Sequence, residues 1–275
     1  MNRSPILIIA GKEIRDAKRN RWFIIIAALF TVLSLALSLL GLSGLGSIGV
    51  SGFGRTTASL LNLVLLIVPL MSLLLGALSV ASEREQGTLI TLLAQPVTSN
   101  EILLGKYLGA AAVMGATLLL GFGLSGFVIS WYGGLEQLGS YLVLVGFTIL
   151  LGLANLSVGF VISVFARKSA AAAGFALFFW FVFLFLSDLG LMGMSIILKL
   201  PARILLWLAC LNPPQSFKLA VVGTLHGSLD LFGAAGRYAL DAFGDWFLGF
   251  LTGTLLVWIL IPLAFALYLF RRRCV

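Results

Sequence analysis

The stretch Ser82–Lys106, SEREQGTLITLLAQPVTSNEILLGK, decides how the rest of the chain is read. It is the one long interruption between hydrophobic spans that also carries an ordered pattern. Two carboxylates, Glu83 and Glu85, lead to Gly87, which can take any backbone angle. Thr88 and Leu89 then open a helical turn. Leu89, Leu92 and Leu93 fall at i, i+3 and i+4, so they share one helical face. Pro96 stops that helix, and Thr98, Ser99 or Asn100 can cap the next one, with Glu101 in its first turn. The pattern predicts a short amphipathic helix between two membrane spans, with its apolar face presented to something outside the bilayer. A helix lying on lipid headgroups would carry the same stripe.

Composition makes the surrounding spans. The chain has 275 residues, of which 60% are hydrophobic and 10% charged, and its mean hydropathy is +1.12. A soluble domain is about a quarter charged, so this is a membrane protein with little room for a soluble domain. The two cysteines, Cys210 and Cys274, lie far apart, and Cys274 adjoins a basic terminus expected in the reducing cytoplasm. That placement argues against a disulfide between them.

Residues 1–21 hold six basic residues and a partial apolar face of Ile6, Ile9, Ala10, Ile14 and Ala17. They predict an amphipathic helix on the membrane surface rather than a cleaved signal, since no small-x-small site follows a short core. Six spans follow, over about 22–42, 60–80, 108–131, 141–165, 169–186 and 247–270. A Gly/Ser-rich stretch, 43–59, is expected to be a flexible link. Gly109, Gly115, Gly121, Gly123 and Gly126 mark the third span as one that packs on other helices. Phe175, Phe178, Phe179, Trp180, Phe181, Phe183 and Phe185 load the fifth with aromatic bulk for lipid and bundle packing. Between spans five and six, residues 187–246 hold apolar pieces too short to cross, punctuated by Pro201, Pro213 and Pro214. These read as re-entrant or interfacial helices. The fold class is therefore an all-α polytopic membrane protein of one domain, 1–275.

Charge gives the orientation. The termini, the loop 82–106 and the Arg167-Lys168 turn carry thirteen of the eighteen basic residues. The positive-inside rule puts all of them in the cytoplasm, and the net charge of +8 then calls for no nucleic-acid partner.

Chemistry is sparse. No Gly-x-x-x-x-Gly-Lys-Ser/Thr loop occurs, so ATP-driven action would need a partner subunit. No catalytic constellation is present. The lone histidine, His226, lies in the outer section, where an interfacial polar role suits it as well as a metal. Met192, Met194 and Cys210 are soft donors in the same section, and apolar packing explains them equally. Carboxylates are nearly absent from the spans, against a proton-coupled carrier. Asn62 and Asn155 are the notable polar residues there, able to bond across helices.

The sequence E-x-E-x-G-T-L-x-x-L-L-x-x-P, with Lys106 opening the next span, resembles the cytoplasmic loop of ABC-2 type permeases. The resemblance implies that Glu83, Glu85, Gly87, Thr88, Leu89, Leu92, Leu93 and Pro96 form a coupling helix that docks on a separate ATP-binding subunit. Gly52-Phe53-Gly54-Arg55-Thr56-Thr57-Ala58, Ser79-Val80-Ala81 and Leu211-Asn212-Pro213-Pro214 are further similar to the NosY-type branch of that family, which serves maturation of the copper centres of nitrous oxide reductase. That branch implies a homodimer in a bacterial inner membrane, two cytoplasmic ATPases that bind the ATP, no cofactor in this chain, and an extracytoplasmic accessory protein of β-repeat fold. So few His, Cys and Met residues suit copper passage poorly; a sulfur species, or force passed to the outer partner, fits as well. A membrane anchor or assembly scaffold that moves nothing is the rival reading.

Overall fold

The structure, a computed structural model, describes residues 5–43, 51–133, 138–197, 200–226 and 243–273. The tip of the 43–59 link, Glu136, the stretch 227–242 and Cys274 fall outside these residues. Among the described residues every regular element is helical: α1 (Pro5–Arg19), α2 (Arg21–Ser43), α3 (Ser51–Glu85), α4 (Thr88–Leu93), α5 (Ser99–Gly133), α6 (Leu138–Phe165), α7 (Ser169–Phe181), α8 (Ser187–Ile196), α9 (Ala202–Cys210), α10 (Pro213–His226) and α11 (Phe247–Arg273). Among the described residues six stretches are long and apolar enough to cross a membrane: Phe23–Leu40, Thr57–Glu85, Ser99–Trp131, Gly139–Phe165, Ser169–Met194 and Phe247–Arg272. The chain is a multi-pass membrane protein.

Several boundaries differ from the sequence reading: the second span runs on to Glu85, and the third begins at Ser99 rather than near 108. The expected link reaches only to residue 50, because Ser51–Ser59 forms the first turns of α3. Thr57 is already buried there, and a helix satisfies the backbone internally where water is scarce. The fifth span does not stop at Leu186. A π turn, Val182–Leu186, joins α7 to α8, so the helical path runs on to Ile196. The extra residue of a π turn keeps the backbone bonded while shifting the face that follows.

α3 and α6 form the centre of the bundle. A Cβ added at Gly76 would lie 2.6 Å from the Leu156 carbonyl oxygen, and one at Gly159 would lie 2.7 Å from that of Leu73. The two backbones touch, as small residues allow between membrane helices. α1 is amphipathic as expected, and its Ile9, Ala10 and Glu13 lie along α5, over Gly105 and Gly109. Asn20 separates α1 from α2 and caps the latter, its Oδ1 accepting from the Phe23 N–H. Polar residues within the spans are mostly used. Ser34 and Ser125 bond across α2 and α5 at 2.7 Å. Asn155 is buried but donates within its own helix, to the Leu151 carbonyl at 2.9 Å, and Asn62 is exposed.

Candidate functional site

The site lies at the end of the bundle where α1, α3, α5, α6 and α11 finish or begin. A buried apolar cluster there includes Ile9, Val80, Ile102, Leu103, Phe160 and Phe270. α4 hangs from this cluster. Leu89 is 5% exposed within it, and Leu92 and Leu93 pack half-buried against its edge. The stripe legible in the sequence is thus turned toward the bundle and fastens α4 to it. The opposite face carries Gln86, Thr88, Ile90, Thr91 and Gln95, all exposed, with Ile90 at 74%. Ile90 therefore projects away from the bundle while Leu89 anchors the helix from behind.

The turns at either end of α4 follow from single residues. Gly87 has φ +74°, the left-handed region that a Cβ disfavours, and its N–H donates to the Arg84 carbonyl at 3.2 Å. Pro96, exposed, ends the segment with Val97 N–H bonded back to the Gln95 carbonyl at 2.7 Å. Thr98, of the three candidate caps, starts α5. Its N–H and hydroxyl donate to Glu101 Oε2 at 2.8 Å each, and the Glu101 N–H returns a bond to its Oγ1 at 3.3 Å, a capping box.

The three charged residues that end α3 together tie it to four other helices. Glu83 Oε1 lies 2.7 Å from Lys12 Nζ on α1 and 3.0 Å from Lys106 Nζ on α5. Arg84 Nη1 donates to the carbonyls of Val164 and Ala166 at 3.1 and 2.7 Å, filling acceptors that the end of α6 leaves open. Glu85 accepts from the N–H of Ser169 at 2.8 Å and from its hydroxyl, capping α7. Lys106 is 1% exposed and also pairs with Glu13, so two lysines and two glutamates close a neutral network. Its third contact is the Ser79 carbonyl at 3.2 Å. Burial pushes the Glu13 carboxyl up, and the Lys106 ammonium beside it opposes the shift. For Lys12, burial works against the charge, yet the bond to Glu83 holds its ammonium above the usual range.

Glu83 and Glu85, which the resemblance places in the coupling loop, bond to other helices of the same chain. The network through Lys12, Glu13 and Lys106 was missed. Its available signal was Lys106 itself, because a cation set well into an apolar helix requires a buried counter-charge. The candidate metal ligands are spread over three helices. Met192 and Met194 sit exposed on α8, Cys210 is buried at the end of α9, and His226 closes α10. Among the described residues no three His, Cys, Asp or Glu side chains could share a metal.

Six apolar helices long enough to span a membrane are thus joined, at one end of the bundle, to a short helix with an exposed outer face. The family of ABC-2 transporter proteins matches residues 7–275, and the chain belongs to it. It is 34% identical, over 96% of its length and 97% of the relative's, to the probable ABC transporter permease protein NosY of Pseudomonas aeruginosa. The corresponding NosY of Stutzerimonas stutzeri is 35% identical over the same shares. A probable multidrug ABC transporter permease, YbhR of Escherichia coli, is 34% identical over 32% of this chain and 24% of its own. The chain is a permease subunit of an ABC transporter.

Proposed function

We propose that this permease couples ATP hydrolysis by separate cytoplasmic subunits to export, or to work on an extracytoplasmic partner, in maturation of the copper sites of nitrous oxide reductase. α4 would be the coupling helix, with Ile90, Thr88, Thr91 and Gln95 as its contact and Leu89, Leu92 and Leu93 as its attachment. The observation that carries this reading is the construction behind α4. Glu83, Arg84 and Glu85 join its base to α1, α5, α6 and α7, so a push on α4 would move four helices together. Likeness to the NosY proteins over nearly the whole chain supports the copper-site role.

The active unit would be a homodimer with two ATPases, both termini in the cytoplasm of a bacterial inner membrane. Residues 187–246, with α9 and α10 as re-entrant helices, would meet an extracytoplasmic β-repeat protein. A mild-detergent pull-down from the native host tests the assembly. An ATPase recovered about one-to-one, together with an extracytoplasmic protein, is the expected result. Recovery of the outer protein without any ATPase would favour the scaffold instead.

A further inference from the structure

A cavity of about 660 Å³ opens between α9 and α11, far from α4. Its walls are apolar: Trp207 and Leu211 on one side, Phe250, Val257, Ile261 and Pro262 on the other. Trp207, Leu211, Val257 and Ile261 are each more than half exposed, so the cavity faces outward from the bundle rather than inward. The two helices run in the same direction. Trp207 packs edge-on against Phe250 with centroids 5.7 Å apart, and further along Trp258 Nε1 donates to the Cys210 carbonyl at 3.3 Å.

That alignment sets the level of the mouth. One turn before Trp207 stands Arg203, exposed and without an ion pair among the described residues. One turn before Phe250 stands Trp246, 82% exposed. An arginine and a tryptophan at one level, above apolar walls, mark the headgroup boundary. From Phe250 to Pro262 the wall descends twelve residues, about 18 Å of helix rise, close to the half-thickness of a bilayer's hydrocarbon core. The depth therefore matches one leaflet, and the cation at its mouth matches a phosphate.

We propose that this groove is a phospholipid site: one acyl chain of the leaflet remote from α4 fills it, and the headgroup phosphate rests on Arg203. The lipid would complete the packing of α9 on α11, making the position of α9 dependent on lipid. The site is independent of the coupling role assigned to α4.

Native mass spectrometry of the full-length protein, stripped of lipid in detergent and titrated with dioleoylphosphatidylglycerol, tests this. Nothing lies within 4 Å of a Cβ built at Gly253, which lines the cavity, so Gly253→Phe fills it without a backbone clash. Ile261→Trp fills it from the exposed wall and serves if the first variant misfolds. The wild type is expected to retain about one lipid per chain that both filling variants lose. Arg203→Glu is expected to weaken phosphatidylglycerol binding about tenfold or more. Equal occupancy in the wild type and both filling variants would overturn the proposal. So would loss of dimers in the filling variants with lipid unchanged, since the groove would then belong to a second copy.

Discussion

Lys106 is the residue on which the charged end depends. Its ammonium is fully buried against Glu13, Glu83 and the Ser79 carbonyl. Lys106→Met keeps the volume but leaves two half-buried carboxylates with Lys12 as their remaining cation. Breaking a buried pair from one side costs about 3–5 kcal/mol, so the apparent melting temperature in detergent should fall sharply. Adding Glu13→Gln should recover part of the loss, whereas no recovery would mean the pair contributes nothing. Gly87 makes a smaller and cleaner case. Its φ of +74° should make Gly87→Ala cost about 1–2 kcal/mol, read as a lower melting temperature, with no clash to confuse the result. Both positions were visible in the sequence, but in different ways. Gly87 announced a turn by its type, while Lys106 gave no hint that its partners stood 93 and 23 residues before it.

At the scale of elements, close backbone approach does most of the arranging. Gly109→Leu would drive a side chain into Glu13 and the Ala10 carbonyl, now 2.6 and 2.8 Å from where its Cβ would be. α1 should detach from α5 and become sensitive to added protease. Gly115→Leu, with nothing within 4 Å, should leave α1 protected. Equal protection in both variants would show that α1 is held elsewhere. The glycines of the third span were read as packing residues, and Gly109, Gly121 and Gly126 do meet neighbours closely while Gly115 and Gly123 do not. Composition cannot tell which face of a helix is turned inward. The same limit governs α4: periodicity found Leu89, Leu92 and Leu93 on one face, but only the packed bundle shows that this face is the attached one. Likewise the length of the fifth span was underestimated, because nothing in Phe183-Leu184-Phe185-Leu186 signals that a π turn will carry the helix past Asp188.

At the scale of the whole molecule, the six spans found among the described residues were legible, because hydropathy alone decides them. Sidedness rests on the basic residues, and it can be checked with a native side chain. Cys274 follows Arg271, Arg272 and Arg273, and the other cysteine, Cys210, is buried. A membrane-impermeant maleimide should label the protein in inside-out vesicles and not in intact spheroplasts. The reverse pattern would invert the orientation and remove α4 from reach of any cytoplasmic ATPase.

On the proposed function, α4 docks a driving subunit through its outward face. Ile90→Asp places a charge on that face without touching the bundle, and Leu92→Asp places one on the attached edge. The measurement is the amount of ATPase that co-purifies with each full-length variant relative to wild type, at equal membrane insertion. Ile90→Asp should lose the ATPase while keeping the wild-type melting temperature, and Leu92→Asp should lower that temperature first. Full retention of the ATPase by a stable Ile90→Asp protein would contradict the assignment of α4 as the coupling helix.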